Sequence, residues 1–467
     1  MARRLVWFRQ DLRTHDHAAL SAACRHPDDE VIALYVMNEG AWLAHDTAPI
    51  KVDFDLRTLI QLRQRLIQLG IPLLLRQVAA DADIPALFIQ LASDIGMQEV
   101  LLHVEHGPNE LQRDRAVNQA LTALNINMRF YEDACIVPPG NLHRPQGDPY
   151  QVFTPFKRRW LQVVPTLPTP LAAPQPRRQS LRLSDPIPHP LPGWIPEVSS
   201  WPWPAGEDEA LQRLELFCNE RIHDYATLRD IPSQPGTSQL SPYLANGSLS
   251  PRMALHQALA TPPGSGRDTW LGELAWRDFF KHILVDYPRV GRHRAFDLST
   301  EGLIWSKRND HFEAWCQGRT GFPLIDAAMR QLLQTGWMHN RLRMVTAMFL
   351  VKDLWLDWRW GERWFMQHLI DGDLAANNGG WQWSASTGVD AVPYFRIFNP
   401  WTQSQRFDPD GLFIRTWLPE LAPIPPKRLH CPPGSHPLTD SYPWPIIRHD
   451  LARLHALAAF KNLRTLS

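Results

Sequence analysis

The feature that most constrains the fold of this chain is a regular alternation of short apolar runs and helical patterns over residues 1–131. Between the apolar runs lie helical patterns, of which the clearest spans residues 53–69 and carries leucine and isoleucine mostly on one face. Near-continuous apolar strands that alternate with helices predict an α/β fold built on a doubly wound parallel sheet. The strand-like runs are residues 5–8, 31–36, 71–75, 100–104 and 128–131.

The first predicted strand is not followed by the glycine pattern of a dinucleotide site. Residues 8–13 read FRQDLR where GxGxxG would stand, so we do not expect the usual dinucleotide site there. Ligands of doubly wound sheets lie beyond the carboxyl ends of the strands. Residues 105–110, after the fourth strand, are one such place, and we expect His45 near another.

Composition limits the class of protein. At 467 residues the chain is too long for one core, and its 44% hydrophobic and 21% charged residues predict a soluble globular protein of about two domains. The formal net charge is zero, so binding to nucleic acid would need a local basic face. No apolar run is long enough to span a membrane, and the N-terminal one is too short for a signal peptide.

Cysteine usage indicates a reducing compartment. The five cysteines are scattered and odd in number, and none belongs to a CxxC. This pattern favours free thiols in the cytosol and argues against a zinc module, so we expect a cytoplasmic protein without a metal site.

A proline-rich connector follows the predicted α/β domain. Seventeen of the 42 prolines lie between Pro138 and Pro204, which predicts an irregular, extended segment anchored by Trp194, Trp201 and Trp203. One island at residues 150–161 ends in a predicted short helix. From residue 207 the patterns are helical, so we predict domains at residues 1–131 and 207–467 joined by a linker at 132–206. The predicted helical segments are residues 209–230, 269–285, 313–335, 341–360 and 362–369.

Residues 371–400 bring carboxylates, carboxamides and two tryptophans close together. Asn, Asp and Gly favour turns over helix interiors, and Gly379-Gly380 allows close backbone approach, so we predict a loop. The functional interpretation is a pocket floor, where aromatic planes hold a flat ligand and polar groups fix its edge. The alternative is a tight surface turn flanked by core aromatic residues.

Three further stretches carry candidate site residues. Thr237, Ser238 and Ser241 precede a helix and could cradle a phosphate with free backbone N–H groups, or could simply cap the helix. Trp270, Glu273 and Trp276 share one helical face, so Glu273 is either a salt-bridged surface group or the polar contact of an aromatic cavity. In residues 336–344, Asn340 and Met344 share one face, and His339 and Arg343 share the next.

These stretches together resemble the class I DNA photolyases that repair cyclobutane pyrimidine dimers. The resemblance is carried by LVWFRQDLRTHD, TSQLSPYLANGSLSPR, WLGELAWRDFF, TGFPLIDAAMRQLLQTGWMHNRLRM and DGDLAANNGGWQWSASTGVDAVPYFRIFNP, and it covers essentially the whole chain. It implies a deoxyribodipyrimidine photo-lyase whose larger, all-α C-terminal domain holds FAD. Many family members have Arg where this chain has Gln239, so one charge is lost there. The positions that match contacts to FAD are Tyr225, Thr237, Ser238, Gln239, Leu240, Ser241, Trp270, Glu273, Arg277, Trp337, Asn340, Arg343, Asp371, Asp373 and Asn377.

The same resemblance implies a substrate pocket for a lesion extruded from the duplex. Trp276 and Trp383 would form its aromatic walls, Glu273 would hydrogen-bond the edge of a base, and Asn340 and Met344 would face the lesion. Asn377 matches the residue opposite flavin N5. The positions that match contacts to the phosphates of DNA are Arg229, Arg341 and Arg396.

The chemistry implied is that of the cofactor. Reduced, anionic FAD absorbs light and passes an electron to the dimer, whose ring opens before the electron returns, and no nucleophile or general base is required. Trp381, Trp358 and Trp305 match the chain of residues that photoreduces resting flavin. His45, Asn109, Glu110 and Arg292 match the site of a 5,10-methenyltetrahydrofolate antenna, although Arg292 stands where Lys is often found; a deazaflavin is the alternative antenna.

Rival functions within the superfamily differ at particular residues. A signalling cryptochrome usually has a different residue where Asn377 stands, and a (6-4) photolyase would have a His pair in the region of Asn340 and Met344. We therefore expect repair of UV-damaged DNA by a monomer that needs no protein partner and no membrane.

Overall fold

The computed structural model describes residues 2–178, 184–434 and 437–466, and the chain divides into two compact units. The first unit consists of Met1–His223, Ser238–Pro288 and Ile370–Asp373. The second unit consists of Asp224–Thr237, Arg289–Leu369 and Leu374–Ser467. The predicted domain boundaries at residues 131 and 207 stay predictions.

The first unit is built around a five-stranded parallel sheet, which confirms the predicted α/β fold. The strand order is β3-β2-β1-β4-β5, with Trp7 of β1 level with Leu34 of β2 and Leu102 of β4. The order reverses between β1 and β4, which makes that crevice the topological switch point of the sheet. The strands are β1 Arg3–Phe8, β2 Glu30–Asn38, β3 Leu73–Val78, β4 Glu99–His103 and β5 Asn127–Tyr131.

Helices cover both faces of the sheet, and each face has its own apolar cluster. One cluster packs Val6, Phe8 and Leu59, and the other packs Leu5, Trp7 and Phe88. Because side chains of a strand alternate between faces, β1 supplies residues to both clusters and is buried on both sides.

Apart from short 3-10 and π-helical turns, the α-helices of the described residues account for the rest of the regular structure, and no strand follows β5 in that part of the chain. The region after residue 207 is therefore helical, as predicted. No helix of the described part of the chain is long and apolar enough to cross a membrane. The helices are α1 Ala18–Ala23, α2 Glu39–Ala44, α3 Pro49–Gln68, α4 Ile84–Ile95, α5 Pro108–Thr122, α6 Phe153–Val163, α7 Glu207–Leu216, α8 Tyr225–Leu228, α9 Ser241–Ala245, α10 Pro251–Leu259, α11 Ser265–Asp286, α12 Asn309–Cys316, α13 Pro323–Thr335, α14 Asn340–Met348, α15 Trp358–His368, α16 Leu374–Ala385, α17 Pro400–Phe407, α18 Leu412–Trp417, α19 Pro426–Leu429 and α20 His449–Leu466.

The connector contains the predicted helix, α6, but not all of the predicted anchors. Trp194 and Trp203 are buried, whereas Trp201 is 72% exposed. The prediction for Trp201 was wrong because its indole lies on the surface beside the guanidinium of Arg57, 5.1 Å from the ring centroid.

One buried carboxylate ties the connector to α11. Asp278 is fully buried and accepts hydrogen bonds from the N–H groups of Ile136 and Val137 at 3.1 and 2.9 Å. The indole N–H of Trp160, on α6, donates to the same carboxylate at 2.8 Å. Three donors thus compensate the burial of one charge.

The predicted helix at residues 313–335 is two helices, α12 and α13. Gly318 and Gly321 between them have φ of 61° and 79°, a conformation that suits glycine and ends α12. The carboxylate of Asp326 then accepts from the N–H groups of Thr320 and Gly321 at 2.7 and 3.0 Å, which fixes the turn before α13.

The predicted helices at residues 209–230 and 341–360 are also interrupted. A π-helical turn at Phe217–Arg221 follows α7, and another at Phe349–Asp353 follows α14. After the second turn the chain passes through Trp355 in a left-handed conformation before Asp357 caps α15. Apolar periodicity continues through these turns, which is why the sequence predicted unbroken helices.

The predicted loop at residues 371–400 begins with a helix, α16, so this prediction was wrong. Side-chain amides fix the helix laterally: Asn378 donates to the carboxylate of Glu362 at 2.7 Å and to the carbonyl of Val290 at 3.2 Å. Gln382 accepts from the N–H of Phe296 at 2.7 Å and donates to Asn378 at 2.9 Å. These long-range partners outweigh the low helix propensity of Asn and Gly.

Candidate functional site

One face of α11 in the first unit carries Trp270, Glu273 and Trp276, as the spacing predicted. Trp270 is buried against Phe217, with 5.3 Å between ring centroids. Glu273 and Trp276 are half-buried. The rings of Trp276 and Phe153 are stacked, with centroids 3.6 Å apart and planes only 10° apart. Phe153 therefore holds the Trp276 indole in a fixed orientation from one face.

Charged residues near α11 are held by partners that the sequence did not reveal. Arg277 donates to the backbone carbonyls of Ala134 and Leu244 at 2.5 and 3.3 Å. Lys281 forms an ion pair with Asp373 at 2.8 Å. Asp371, two residues before Asp373, is buried.

The proposed phosphate cradle differs from an ordinary helix cap. Leu240, not a hydroxyl residue, is the N-cap of α9, which begins at Ser241, and its side chain makes no capping bond. Ser250 is a true N-cap, of α10, and accepts from the N–H groups of Arg252 and Met253. Ser238 and Ser241 are half-buried, as is Thr237 in the second unit, and the phosphate cradle stays a prediction.

A guanidinium lies beside Gln239, where the family resemblance showed a missing charge. Gln239 has φ of 52°, and its side-chain oxygen accepts from Arg213 at 3.0 Å. Arg213 also lies over the rings of Trp203 and Tyr243, at 5.8 and 5.6 Å. No carboxylate of the described residues lies within ion-pair distance of Arg213.

In the second unit, the carboxylate of Asp230 contacts two of the predicted DNA-binding arginines. Its carboxylate accepts two hydrogen bonds from Arg341, at 2.8 and 3.2 Å, and lies 3.8 Å from Arg229. Arg229 also lies 5.4 Å from the ring of Tyr225, which is buried. Arg396 is exposed.

The candidate site residues of the stretch 336–344 lie at the start of α14 and just before it. His339 is its N-cap and accepts from the N–H of Arg341 at 3.2 Å, while its Nε2 is buried without a hydrogen-bond partner among the described residues. Burial lowers the pKa of His339 to about 4, so the ring is neutral near pH 7. Asn340 is exposed and Met344 half-exposed, as a surface that faces a ligand requires. Arg343 donates to the carbonyl of Met338 at 2.8 Å, and Trp337 is nearly buried.

On α16, Asn377 lies beside the amide cluster described above. Its side chain donates to the backbone carbonyl of Glu362 at 2.9 Å, which fixes its orientation. The Glu362 carboxylate also lies 3.4 Å from the ring of His293. Asn377 is therefore positioned by α15, a contact that the sequence did not predict.

The tryptophans predicted for electron transfer occupy different environments. Trp381 is buried, and its indole N–H has no partner among the described residues. A Cβ atom at Gly361 of α15 would lie 2.1 Å from the Trp381 ring, so only glycine leaves room for it. Trp381 also meets Trp315 edge-on at 6.0 Å, a neighbour that the sequence did not predict.

Trp358 and Trp305 are not in ring contact with Trp381 among the described residues, nor with each other. Trp358 is buried, with the guanidinium of Arg359 4.6 Å from its ring, and Trp305 is half-buried. Trp383, predicted as a wall of the substrate pocket, is half-buried on α16.

Three of the predicted antenna residues converge in the first unit. His45 lies 2.9 Å from the amide of Asn109 and 3.5 Å from the carboxylate of Glu110. Burial, together with the nearby Glu105, raises the pKa of Glu110. Arg292 belongs to the second unit and is exposed.

The switch point of the sheet is filled by the protein's own polar groups. Arg9 forms an ion pair with Asp114 at 2.9 Å, and Asp11 lies 2.8 Å from His103 and 3.1 Å from His17. Burial alone would raise the pKa of Asp11, but the two histidines hold it well below its usual value. The protein's own charged side chains thus pair with one another at this crevice.

The same three residues, Asp11, His17 and His103, have the composition of a metal site, with ligand atoms within 4.8 Å of one another, but the backbone already occupies one nitrogen of each ring. The outer nitrogens of His17 and His103 accept from the N–H groups of Leu20 and Ala19, at 3.0 and 3.5 Å. The inner nitrogen of His103 hydrogen-bonds the Asp11 carboxylate at 2.8 Å, whereas the inner nitrogen of His17 lies 3.1 Å from the same carboxylate and is buried without a hydrogen-bond partner among the described residues.

Comparison with known proteins matches both parts of the chain. Residues 4–176 match the model of the family described as DNA photolyase, and residues 270–462 match the FAD binding domain of DNA photolyase. A protein of Escherichia coli named deoxyribodipyrimidine photo-lyase is 44% identical over 473 residues, and the match covers 99% of each chain.

Two solved structures are similar over nearly the whole chain. A bacterial class III photolyase from Agrobacterium tumefaciens has a TM-score of 0.89 at 33% identity and covers 100% of this chain and 98% of its own. A cryptochrome from Synechocystis has a TM-score of 0.88 at 30% identity and covers 98% and 99%. The chain belongs to the DNA photolyase family.

Proposed function

We propose that the chain is a deoxyribodipyrimidine photo-lyase, which uses light to split cyclobutane pyrimidine dimers in UV-damaged DNA. The observation that carries this proposal is the half-buried face of α11, where Glu273 lies one turn from an indole already stacked on Phe153. Such a face can bind a planar base against Trp276 and hydrogen-bond the edge of that base through Glu273. Relatives of that name support the choice of lesion.

The residues present fit FAD. The indole N–H of Trp381 is buried without a hydrogen-bond partner among the described residues, so an acceptor atom of a bound ligand would satisfy it. The guanidinium of Arg213 donates to Gln239 but has no carboxylate partner among the described residues, so it could also meet a phosphate. When bound, reduced FAD would supply the light absorption and the electron that opens the cyclobutane ring. The residues proposed to hold it are Tyr225, Thr237, Ser238, Gln239, Leu240, Ser241, Trp270, Glu273, Arg277, Trp337, Asn340, Arg343, Asp371, Asp373 and Asn377.

The protein's own residues would bind and orient the lesion. Trp276 and Trp383 would offer aromatic faces, and Glu273 would accept from a base edge. Asn340 and Met344 lie at exposed and half-exposed positions of α14. Because the reaction moves only an electron, none of these residues needs to gain or lose a proton.

The proposed contacts to DNA phosphates are unequal in strength. Asp230 already neutralises Arg341 with two hydrogen bonds, which lowers what Arg341 can contribute to a phosphate. Arg229 shares the same carboxylate at a longer distance. Arg396 has no carboxylate within ion-pair distance in the described part of the chain, so it should carry the largest share.

Two further roles belong to the same proposal. Trp381, Trp358 and Trp305 would relay an electron from an external thiol to resting FAD. His45, Asn109 and Glu110, which lie together, and Arg292 would bind a 5,10-methenyltetrahydrofolate antenna, or a deazaflavin. A near-ultraviolet absorption band of the purified protein would identify the folate, and a band nearer the blue would identify the deazaflavin.

The second candidate is a blue-light receptor, favoured by the similarity to the Synechocystis cryptochrome. Both functions would use FAD, but only repair requires Glu273 and Trp276 to contact a lesion. We propose that the protein acts on DNA as a monomer in the cytoplasm, a location that its five free cysteines support.

The decisive experiment is Glu273→Ala, tested with protein whose FAD has been reduced by dithionite. We expect binding to dimer-containing DNA to weaken roughly ten- to hundredfold, because one hydrogen bond to a buried partner is worth about 1–3 kcal/mol. Flavin absorbance should report whether FAD remains bound. Glu215→Ala, which removes an exposed glutamate from α7, is the matched control and should bind and repair like wild type.

Two results would decide against repair. Equal binding by Glu273→Ala and wild type would remove Glu273 from the lesion site. Wild-type protein that holds FAD and responds to light, but leaves dimers intact after dithionite, would favour the receptor.

A further inference from the structure

Trp305, the proposed surface end of the electron relay, lies against a second indole. The ring centroids of Trp305 and Trp355 are 4.8 Å apart, with planes tilted by 42°. Trp355 is 6% exposed, whereas Trp305 is half-buried. Two indoles at this separation are in contact, so an electron can pass between them without an intervening residue.

Backbone hydrogen bonds hold the two indoles together. The indole N–H of Trp355 donates to the carbonyl of Ile304 at 2.8 Å. The N–H of Ser306 donates to the carbonyl of Trp355 at 2.8 Å, and Ser306 and Leu356 form a parallel β-bridge. Trp355 is thus bonded on both sides of Trp305, and the pair is rigid.

The backbone of Trp355 is strained. Its φ of 55° is left-handed, a conformation that is unfavourable for a non-glycine residue, whereas glycine adopts it freely. Phe460 and His455 of α20 meet the ring edge-on at 5.7 and 5.3 Å and shield it. A bulky aromatic residue where the backbone would prefer glycine indicates that the indole itself has a role.

We propose that Trp305 and Trp355 act as one two-ring hole trap at the surface end of the relay. This inference rests on the relay Trp381–Trp358–Trp305 proposed above. A hole that reaches Trp305 has removed one electron from its indole. Trp355 can supply an electron, so the positive charge is shared between the rings, and an external thiol then returns one electron and releases one proton.

The hydrogen bond to Ile304 keeps an oxidised Trp355 in its cationic form. A backbone carbonyl is too weak a base to remove the indole proton of Trp355, and the ring is shielded from water. The hole on this ring therefore remains a radical cation. Sharing the charge slows its return to the flavin and leaves more time for the thiol to react.

The test compares Trp355→Phe with Trp360→Phe in the FAD-containing protein. Trp360 is a matched control, since it packs on Phe312 at 5.3 Å and has no ring contact with Trp305 among the described residues. Light-driven reduction of oxidised FAD by thiol should slow roughly fivefold in Trp355→Phe, the factor that a ring–ring interaction of about 1 kcal/mol supports. Trp360→Phe should reduce FAD at the wild-type rate, and Trp305→Phe should not reduce it.

A second measurement in the dark reports the pair itself. Near-ultraviolet circular dichroism should show a coupled indole signal that Trp305→Phe and Trp355→Phe both lose and Trp360→Phe keeps.

The outcomes separate the trap from the relay. Photoreduction that is equally fast in Trp355→Phe and wild type, with Trp305→Phe inactive, overturns the trap and leaves the relay standing. Photoreduction that survives in Trp305→Phe overturns both. A loss in Trp355→Phe as complete as in Trp305→Phe would replace the shared trap with a relay that ends at Trp355.

Discussion

Helices α11 and α16 both carry residues of the proposed site, yet they are held by different chemistry. A buried charge anchors α11, through the Asp278 carboxylate and its three N–H donors. Neutral amides anchor α16, through Asn378, Gln382 and their carbonyl and carboxylate partners. The charged anchor depends on pH and on complete hydrogen bonding, whereas the amide anchor depends mainly on geometry.

The difference matters because a buried carboxylate is costly unless every hydrogen bond is made. Burial raises the pKa of Asp278, and hydrogen bonds from Val137 and Trp160 only partly offset the rise. In the α16 network the groups on the helix itself, Asn378 and Gln382, are neutral, although their partner Glu362 is a buried carboxylate. We therefore expect α11 to be destabilised mainly by changes in charge, and α16 mainly by changes in hydrogen-bond geometry.

The largest expected effect is that of Asp278→Ala. Three buried N–H groups would lose their acceptor, and we expect the free energy of unfolding to fall by roughly 3–5 kcal/mol. Urea denaturation followed by circular dichroism measures this loss. Asp278→Asn, which retains one acceptor oxygen, should cost clearly less; equal losses in both variants would mean that packing rather than hydrogen bonding holds α11.

A smaller effect is expected when a charge is introduced into the amide network. In Asn378→Asp, the new carboxyl would stand where the Asn378 amide now donates to Glu362 at 2.7 Å. Repulsion and the lost hydrogen bond should cost roughly 2–3 kcal/mol at pH 8.

That loss should shrink at low pH. Proximity to Glu362 raises the folded-state pKa of the introduced carboxyl above its unfolded value, so stability lost at high pH returns as the pH falls through the folded pKa. Asn378→Ala is the uncharged control. A loss in Asn378→Asp that does not change with pH would show that the network tolerates the charge.

The smallest effect is a pH slope that the Asp278 anchor should show. Because the pKa of Asp278 is raised above 3.8, the folded state keeps this proton to a higher pH than the unfolded state. The stability this proton contributes is complete below pH 3.8 and is lost as pH rises through the folded pKa, at no more than about 1.4 kcal/mol per pH unit. Subtracting the Asp278→Asn profile from that of wild type isolates the slope, and parallel profiles would contradict it.

The two helices also differ in how far the sequence predicted them. The three-residue spacing of Trp270, Glu273 and Trp276 predicted α11, because the residues of one helical face recur at regular intervals in the local sequence. Nothing local predicts α16, whose Asn and Gly residues favour turns and whose partners, such as Val290, are distant in sequence. The ion pair of Lys281 with Asp373 was missed for the same reason, although the sequence had named Asp373 as a site residue.

In the sheet, the pattern of apolar residues was sufficient to predict the strands but not the side-chain contacts at the switch point. Five apolar runs predicted five parallel strands in nearly the right places. His45, Asn109 and Glu110 also converge as the resemblance suggested. The polar network of Asp11, His17 and His103 was not foreseen, because it depends on side chains from β4 and from the loop after β1.

Gly361 shows how an absent atom can fix a ring in place. The Trp381 indole fills the space that a methyl group would occupy at this position. The residue that either position tolerates therefore depends on the residue at the other. Adding a side chain at 361 requires a smaller ring at 381, and a smaller ring at 381 opens a cavity that glycine cannot fill. Any lineage that departs from this pair must therefore change both residues, and each intermediate bears either a clash or a void.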